Sequence, residues 1–222
     1  MHEAKHEPMV KLISIPPEPE YIIGYCARVS NPKNQENPDV FKLISYCVKN
    51  KHWSIFEMQN IVLEITTSRA IAAQILRHKS FSFQEFSQRY SESDYYIETN
   101  PRKQDLKNRQ HSTDDLPFEL VEEFQEKQRQ NWIHSYEMYK YFTSKGVAKE
   151  SARFLLPLST GTKLYMNGNI RSWIHYCILR CDSSTQLEHR VIAQECWKII
   201  RKELPNVANA VEDNYPVLKE VV

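Results

Sequence analysis

The chain has 222 residues, which is enough for one sizeable hydrophobic core without a second domain. Its 29 Lys and Arg against 28 Asp and Glu leave a formal net charge of +1, which argues against a dedicated nucleic-acid binder. No apolar run approaches the roughly 20 residues that span a bilayer, and residues 1–6 lack a signal-peptide pattern, so we expect no membrane partner.

The cysteines and glycines restrict further which class of protein this can be. The cysteines are odd in number and scattered within apolar helical patterns, which indicates reduced thiols in a cytosolic protein and argues against disulfide frameworks or zinc. They are Cys26, Cys47, Cys177, Cys181 and Cys196. The chain contains only four glycines, and none are spaced as GxGxxG or as a P-loop. Any bound dinucleotide must therefore be held outside the Rossmann design.

The first half of the chain predicts two strands and three helices. The strands are residues 9–15, stopped by two prolines, and residues 60–66. The helices are residues 18–28, 37–51 and 68–76.

The second half is mainly helical. Residues 90–97 are aromatic and predict a strand, and the polar, aperiodic residues 98–117 predict a mobile or partner-ordered loop. A long helix follows over 116–145, stopped by Gly146. We expect its buried face to comprise Leu120, Val121, Phe124, Trp132, Tyr136 and Tyr139. Another helix ends at Pro157, and two amphipathic helices follow, up to Arg180 and over 186–203, before a less defined tail. The predicted fold is α+β: one small, mostly antiparallel sheet flanked by helices, with a helical lobe around 116–150.

One polar stretch stands out. At the end of the helix over 68–76, Gln74, Arg77 and His78 have i, i+3, i+4 spacing and are predicted to share a helix face. Ser82, a carboxylate (Glu85) and further polar residues follow within a dozen positions. This mixture suits an anionic, hydrogen-bond-rich small molecule, and an Arg/Glu network joining helix and loop is the alternative.

The spacing of this stretch is similar to a known motif. Arg77-His78-Lys79, seven residues, then Ser87 resembles the Arg-His-Arg-x7-Ser motif of the flavin-dependent thymidylate synthases. Lys79 departs from the third arginine, so it keeps the charge but loses the planar fork of donors.

Further segments resemble the same family in the same order along the chain. They are Ala-Arg-Val-Ser at 27–30, His-x-Ser-x-Phe-Glu at 52–57, Ala-Arg-x-x-Leu-Pro-Leu at 152–158, and Asn-x-Arg at 169–171 followed by Arg180. His175 replaces the family's usual Asn. Arg28 and Arg153 have an alternative interpretation, as cations that satisfy the last carbonyls of a helix.

The resemblance implies transfer and reduction of a one-carbon unit from methylenetetrahydrofolate to C5 of dUMP, giving dTMP, with FAD as hydride carrier and NADPH as reductant. It assigns to dUMP the residues Gln74, Arg77, Glu85, Phe86, Ser87, Gln88, Arg89, Arg153 and Arg180. It assigns to a non-Rossmann FAD site the residues Ser54, Arg77, His78, Lys79, Glu85, Asn169, Arg171 and His175. His52 is expected near the folate.

Arg180 is the predicted catalytic residue, since a permanent cation at the uracil edge favours the N3-deprotonated form and enriches C5 in electrons. Ser87 is predicted to donate to the nucleotide and not to act as a nucleophile, because no GxSxG turn surrounds it. The resemblance further implies a single domain over 1–222, a homotetramer with active sites shared between subunits, and a cytoplasmic location, in the host if the source is viral.

Two other functions remain open from the sequence. One is a nucleotide- or RNA-binding module without catalysis, which would be colourless and would bind nucleic acid in a salt-dependent way. The other is an inactive flavin-binding relative, with Lys79 and His175 as altered positions.

Overall fold

A computed structural model describes residues 5–221; the prediction about a signal peptide falls largely on residues 1–4, outside the described residues. The chain is a mixture of helix and sheet, as predicted. The strands are β1 (Lys5–His6), β2 (Met9–Ser14), β3 (Asn60–Ser68), β4 (Ser82–Glu85), β5 (Tyr96–Ile97), β6 (Lys103–Gln104), β7 (Ser112–Thr113) and β8 (Gly161–Asn169). A four-stranded sheet has the order β2-β3-β8-β4, while β1 pairs with β5 in parallel and β6 with β7 antiparallel.

The α-helices account for most of the remaining chain. They are α1 (Pro19–Ala27), α2 (Phe41–Lys49), α3 (Arg69–Ile75), α4 (Phe118–Ser144), α5 (Lys149–Ala152), α6 (Ile170–Arg180), α7 (Leu187–Glu203), α8 (Pro205–Glu212) and α9 (Pro216–Lys219). Short 3₁₀ helices cover Pro32–Asn34, Trp53–Glu57 and Arg153–Leu155. Within residues 5–221, no helix combines the length and apolar character needed to cross a membrane.

The residues group into two compact units. Among the described residues, the first comprises 5–9, 65–77 and 84–164, and the second comprises 10–64, 78–83 and 165–221. The first unit therefore contains α3, α4 and α5, and the second contains α1, α2 and α6 to α9.

In the first unit the long helix α4 packs through its central aromatic residues. Trp132 and Tyr139 are buried, and the Trp132 ring stacks on Tyr96 at 5.4 Å. Leu120 and Phe124 were predicted to be buried but are 47% and 46% exposed. The correction has a physical reason: helical periodicity identifies an apolar stripe but not how far along the helix a partner covers it.

Helix α4 ends where the sequence predicted. Gly146 follows its last turn with a φ of +90°, a conformation that glycine adopts without a Cβ clash.

In the second unit, α6 and α7 share a buried seam. Helix α6 was predicted to be amphipathic, and its apolar side is fully buried at Ile170, Trp173, Ile174 and Cys177. The facing stripe of α7 is buried too, at Ile192, Ala193, Cys196 and Ile200. The indole N–H of Trp173 donates to the Ile61 carbonyl at 3.1 Å, so this large residue is buried with its polar atom satisfied.

Three predicted elements differ from the structure. The strand expected over 90–97 is reduced to β5, which, in the described part of the chain, pairs with the two residues of β1. The polar segment 98–117 contains the antiparallel β6–β7 pair and is not structureless. The tail continues into two helices, α8 and α9, each opened by a proline in its first turn, where the missing N–H carries no penalty.

Candidate active site

A cavity of about 340 Å³ lies in the first unit beside the start of α3. Two arginines, Arg69 and Arg153, contribute to its lining. The other lining residues are Gln88, Phe154, Leu156, Pro157, Leu158 and Thr160. Two guanidiniums beside an apolar wall can hold a ligand with both an anionic and a flat apolar part.

Two buried polar atoms in this lining have no hydrogen-bond partner within the described part of the chain. They are Gln88 Nε2 and Thr160 Oγ1, and the two residues are 7% and 0% exposed. An unpaired buried donor costs about 1–3 kcal/mol, so such atoms call for a partner. A ligand rich in acceptor oxygens would satisfy both.

The carboxylate Glu85 is held by two residues of its own unit. Arg69 donates to Glu85 Oε1 at 2.7 Å, and the Thr162 hydroxyl donates to the same oxygen at 3.0 Å. Arg69 is the first residue of α3, where the helix dipole disfavours a cation, so the Glu85 contact offsets that cost. These contacts fix the orientation of the Glu85 carboxylate. They also provide part of the Arg/Glu network that was the alternative interpretation of this stretch.

The structure corrects the predicted shared face of Gln74, Arg77 and His78. Helix α3 ends at Ile75, so only Gln74 lies on it. Arg77 is an exposed turn residue whose N–H donates to the Gln74 carbonyl at 3.3 Å, and His78 lies outside regular structure. The reason is local: the chain turns here to enter β4, and an i, i+4 spacing cannot report where a helix stops.

Other residues that the resemblance assigns to the nucleotide differ in burial and in the contacts they make. Phe86 is half-buried, and its backbone N–H donates to the Lys163 carbonyl at 2.8 Å. Ser87 is exposed, and Arg89 forms an exposed ion pair with Glu150 at 3.0 Å, a type of contact that contributes little to stability. Their side chains are therefore available to a ligand at little cost.

Arg153 lies in the 3₁₀ helix Arg153–Leu155, which follows α5 and ends before Pro157. Its guanidinium carbon is 5.8 Å from the centre of the Phe154 ring, and that ring is 82% exposed.

In the second unit, Arg180 is joined to His78. Arg180 Nε donates to His78 Nε2 at 3.0 Å across 102 residues of sequence. Because a guanidinium cannot accept, His78 must present a lone pair on Nε2 and carry its proton on Nδ1. Arg180 is the last residue of α6, where a cation also interacts favourably with the helix dipole.

The start of α6 brings together the other residues assigned to the flavin. Asn169 is the N-cap, and its Oδ1 accepts from the Ser172 backbone N–H at 2.8 Å, so this residue already has a structural task. Arg171 is paired with Glu57.

His175 lies against an aromatic ring one turn further on. It is packed edge-on to the Trp53 ring at 4.9 Å, and partial desolvation together with the Arg171 charge lowers its pKa. This exposed face of α6 therefore presents the Arg171–Glu57 ion pair and an imidazole whose neutral form is favoured, next to the Trp53 ring.

Three further predicted residues of this unit are exposed. Ser54 lies in the 3₁₀ helix Trp53–Glu57, His52 directly precedes it, and Lys79 follows His78. The His52 ring packs edge-on against Tyr46 at 5.7 Å.

Arg28 has a structural role. It is 8% exposed and donates to the carbonyls of Asn37 and Asp39 at 2.6 and 2.5 Å. These bonds hold the loop after α1 against the start of α2. The carbonyls belong to this loop and not to the last turn of α1, so the role differs from the helix-end cation that was the alternative interpretation.

Two residues of interest were not singled out from the sequence. Arg69 could have been noticed, because a cation directly after the N-cap Ser68 is unfavourable unless it is paired. His189 could have been noticed on the apolar stripe of α7, three residues before Ile192, where a polar residue needs a partner. Within residues 5–221, no cluster of three or more His, Cys, Asp or Glu could hold a metal ion.

Comparisons with known proteins identify the class of enzyme to which these features belong. The sequence model of the family described as "Thymidylate synthase complementing protein" matches residues 11–206. The chain belongs to this family, the flavin-dependent thymidylate synthases, which confirms the resemblance drawn from its motifs.

Two relatives are similar over most of their length. The chain is 52% identical over 206 residues to the flavin-dependent thymidylate synthase of Synechocystis sp., covering 93% of this chain and 95% of the relative. It is 50% identical over 198 residues to the probable flavin-dependent thymidylate synthase of Paramecium bursaria Chlorella virus 1, covering 87% and 90%.

A solved structure has the same fold. The crystal structure of the UMP/dUMP methylase PolB from Streptomyces cacaoi, bound with 5-Br dUMP, matches with a TM-score of 0.85 at 20% identity, covering 96% of this chain and 98% of that one. At this identity the likeness carries the fold alone.

Proposed function

We propose that this chain is a flavin-dependent thymidylate synthase that converts dUMP to dTMP. It takes the one-carbon unit from methylenetetrahydrofolate and uses NADPH as reductant. Membership of the family and the names of the relatives at 50–52% identity support this proposal. The observation that carries it on this chain's own residues is the cavity in the first unit, with its two guanidiniums and two unpaired buried polar atoms.

The cavity fits a nucleoside monophosphate. A phosphate prefers the planar donors of arginine, which Arg69 and Arg153 provide, and a pyrimidine carries carbonyl oxygens that Gln88 Nε2 and Thr160 Oγ1 can serve. Glu85, held by Arg69, can accept from a sugar hydroxyl or a ring N–H. The remaining residues that we assign to dUMP are Gln74, Arg77, Phe86, Ser87, Arg89 and Arg180.

The donor set of the second unit fits FAD. Arg171, Lys79 and the amide of Asn169 are suited to a pyrophosphate and to the flavin carbonyls, and Asn169 keeps its Nδ2 donors free of the helix cap because only Oδ1 is used there. The other residues of the second unit that we assign to FAD are Ser54, His78 and His175. We also assign Arg77 and Glu85 to FAD, as the resemblance to the family implies. Such a site is non-Rossmann, since the chain lacks a glycine-rich fingerprint. When bound, FAD supplies the hydride that reduces the transferred carbon.

Arg180 is the proposed catalytic residue. Its Nε is engaged by His78, which leaves both terminal nitrogens of the guanidinium to meet the uracil edge. A fixed cation there stabilises the anionic, N3-deprotonated uracil, and the electron density reaches C5, the carbon that must attack. The His78 contact limits the rotation of the guanidinium, so little reorganisation is needed when charge develops.

The remaining features are proposed from the family. His52 is placed near the folate, the chain forms one domain over 1–222, and it assembles as a homotetramer whose active sites are shared between subunits. The proposed location is the cytoplasm, which is the host's if the source is viral. A shared site would supply the contact area that a 222-residue chain needs for FAD and two substrates.

The proposal is tested on the purified protein. We expect a yellow protein that NADPH bleaches under anaerobic conditions and that forms dTMP from dUMP and methylenetetrahydrofolate. Arg180→Ala should abolish dTMP formation while flavin stays bound. Arg190→Ala is the matched control and should keep full turnover, because within residues 5–221 its guanidinium donates to the Ser183 carbonyl on the surface. A protein that stays colourless with added FAD contradicts the synthase function, and turnover retained by Arg180→Ala contradicts the role of Arg180.

A further inference from the structure

A buried pair of polar side chains lies behind Arg180 in the second unit. His189 on α7 is 0% exposed, and its Nε2 is 3.2 Å from the hydroxyl of Tyr176 on α6, which is 2% exposed. The Tyr176 hydroxyl would cost about 1–3 kcal/mol if it were buried without a partner. The His189 contact therefore fixes where the Tyr176 ring can lie.

The Tyr176 ring, in turn, packs against His78. The two ring centres are 5.0 Å apart and nearly perpendicular, at 80°. The His189 ring is 6.1 Å from His78 at 82°, and Phe81 lies edge-on at 6.5 Å. The imidazole of His78 is thus packed against three rings, and two of them belong to the hydrogen-bonded pair.

The orientation of the His78 ring, fixed by these contacts, in turn orients Arg180. Its Nε2 accepts the Arg180 Nε–H at 3.0 Å, and that bond requires both the orientation of the ring and a proton on Nδ1. A rotated or differently protonated ring would leave Arg180 Nε without its acceptor. The geometry forms a chain of four side chains from α7 to the end of α6.

The surroundings keep the buried pair uncharged. Burial, followed by the charge of Arg180, lowers the pKa of His189, so its imidazole is neutral. Burial and the nearby Cys196, Cys177 and Cys181 raise the pKa of Tyr176, so it keeps its proton. Arg180 is the permanent charge that these groups face.

We propose that His189 is a positioning residue for the reaction: through Tyr176 it holds His78 in the orientation and tautomer that accept the Arg180 Nε–H. The terminal nitrogens of Arg180 are thereby presented to the nucleotide in one arrangement. This inference rests on the proposed function, which makes Arg180 the group that activates the uracil. His189 and Tyr176 lie outside the motif segments on which the resemblance to the family rests.

Three variants and one control test the chain of contacts. His189→Leu removes the imidazole, Tyr176→Phe removes only the hydroxyl, and His189→Gln keeps a side chain that can hydrogen-bond Tyr176. Ile200→Ala, on the same buried face of α7 but about three turns away, is the control for a general loss of stability. The measurements are kcat for dTMP formation, the thermal midpoint of unfolding, and the crystal structure of each flavin-loaded variant.

We expect His189→Leu and Tyr176→Phe each to lower kcat by roughly ten- to hundredfold, since a misplacement of about 1 Å at a reacting group has effects of this size. Their crystal structures should show the distance between Arg180 Nε and His78 Nε2 beyond hydrogen-bonding range. His189→Gln should keep kcat within about threefold of the wild type, because the bond to Tyr176 is retained. Ile200→Ala should lower the thermal midpoint while keeping both kcat and the distance.

The outcomes separate this inference from the function. If the wild type forms dTMP and both His189→Leu and Tyr176→Phe keep kcat and the His78–Arg180 contact, the inference is overturned and the function stands. If His189→Leu does not fold, Tyr176→Phe decides alone. If the wild type forms no dTMP, the proposed function fails, and the crystallographic distance in the variants still supports or overturns the positioning role.

Discussion

The buried neutral His189 predicts a specific dependence of stability on pH. Its pKa is lowered from 6.5 to about 3 in the folded protein, first by burial and then by the charge of Arg180. The folded protein thus binds fewer protons than the unfolded chain wherever the unfolded histidine is charged. The stabilisation is complete above pH 6.5 and is lost progressively as the pH falls from 6.5 towards 3.

The size of the effect follows from the two pKa values. At pH 7.5 the unfolded histidine is almost entirely neutral, so the loss of stability caused by its protonation is near zero. At pH 5.0 it is almost fully protonated while the folded one is not, and the difference in free energy is about 2 kcal/mol. His189→Gln has no titrating group at this position, whereas His175 and the other histidines are common to both proteins and cancel.

The assay is urea unfolding, followed by tryptophan fluorescence at one fixed protein concentration, at pH 7.5 and pH 5.0. We expect the free energy of unfolding of the wild type to fall by about 2 kcal/mol more than that of His189→Gln. If both proteins lose the same free energy within about 0.5 kcal/mol, His189 is able to protonate in the folded state, and the reasoning from its burial is wrong.

Three other predictions test packing and site contacts. Gly168→Ala places a Cβ 2.4 Å from the Phe81 ring and should destabilise the fold by about 1–3 kcal/mol, measured by thermal unfolding; unchanged stability would mean that the ring moves freely. In a double-mutant cycle, Arg69→Met and Glu85→Gln should show a coupling of about 1–2 kcal/mol in stability, whereas additive effects would mean that the ion pair is not formed in solution. Asn169→Ala should lower the free energy of unfolding by about 1 kcal/mol through loss of the α6 cap. Asn169→Asp should keep the cap and weaken FAD binding. If the Asp variant binds FAD as tightly as the wild type, Asn169 acts only as a helix cap.

Much of the helical structure followed from local patterns. The stripe on α6 and the glycine stop after α4 were predictable, because periodicity and backbone freedom act over a few residues. The end of α3 before Arg77 was not predictable, because no proline or glycine marks it and the chain leaves the helix to form β4. The exposure of Leu120 and Phe124 was equally hidden, because the sequence does not state what covers an apolar stripe.

For this protein the sequence by itself determined the family, through motifs whose order and spacing extend from Arg28 to Arg180. Through its resemblance to that family it also predicted which charged residues take part in the chemistry, and that assignment stays a prediction. Only the tertiary structure decided which of them act together. The Arg69–Glu85 pair and the Arg180–His78 bond join residues 16 and 102 positions apart. Such pairings depend on how helices and strands pack, which no local periodicity encodes. The buried contact between Tyr176 and His189 likewise depends on the packing of α6 against α7, so only the tertiary structure could reveal it.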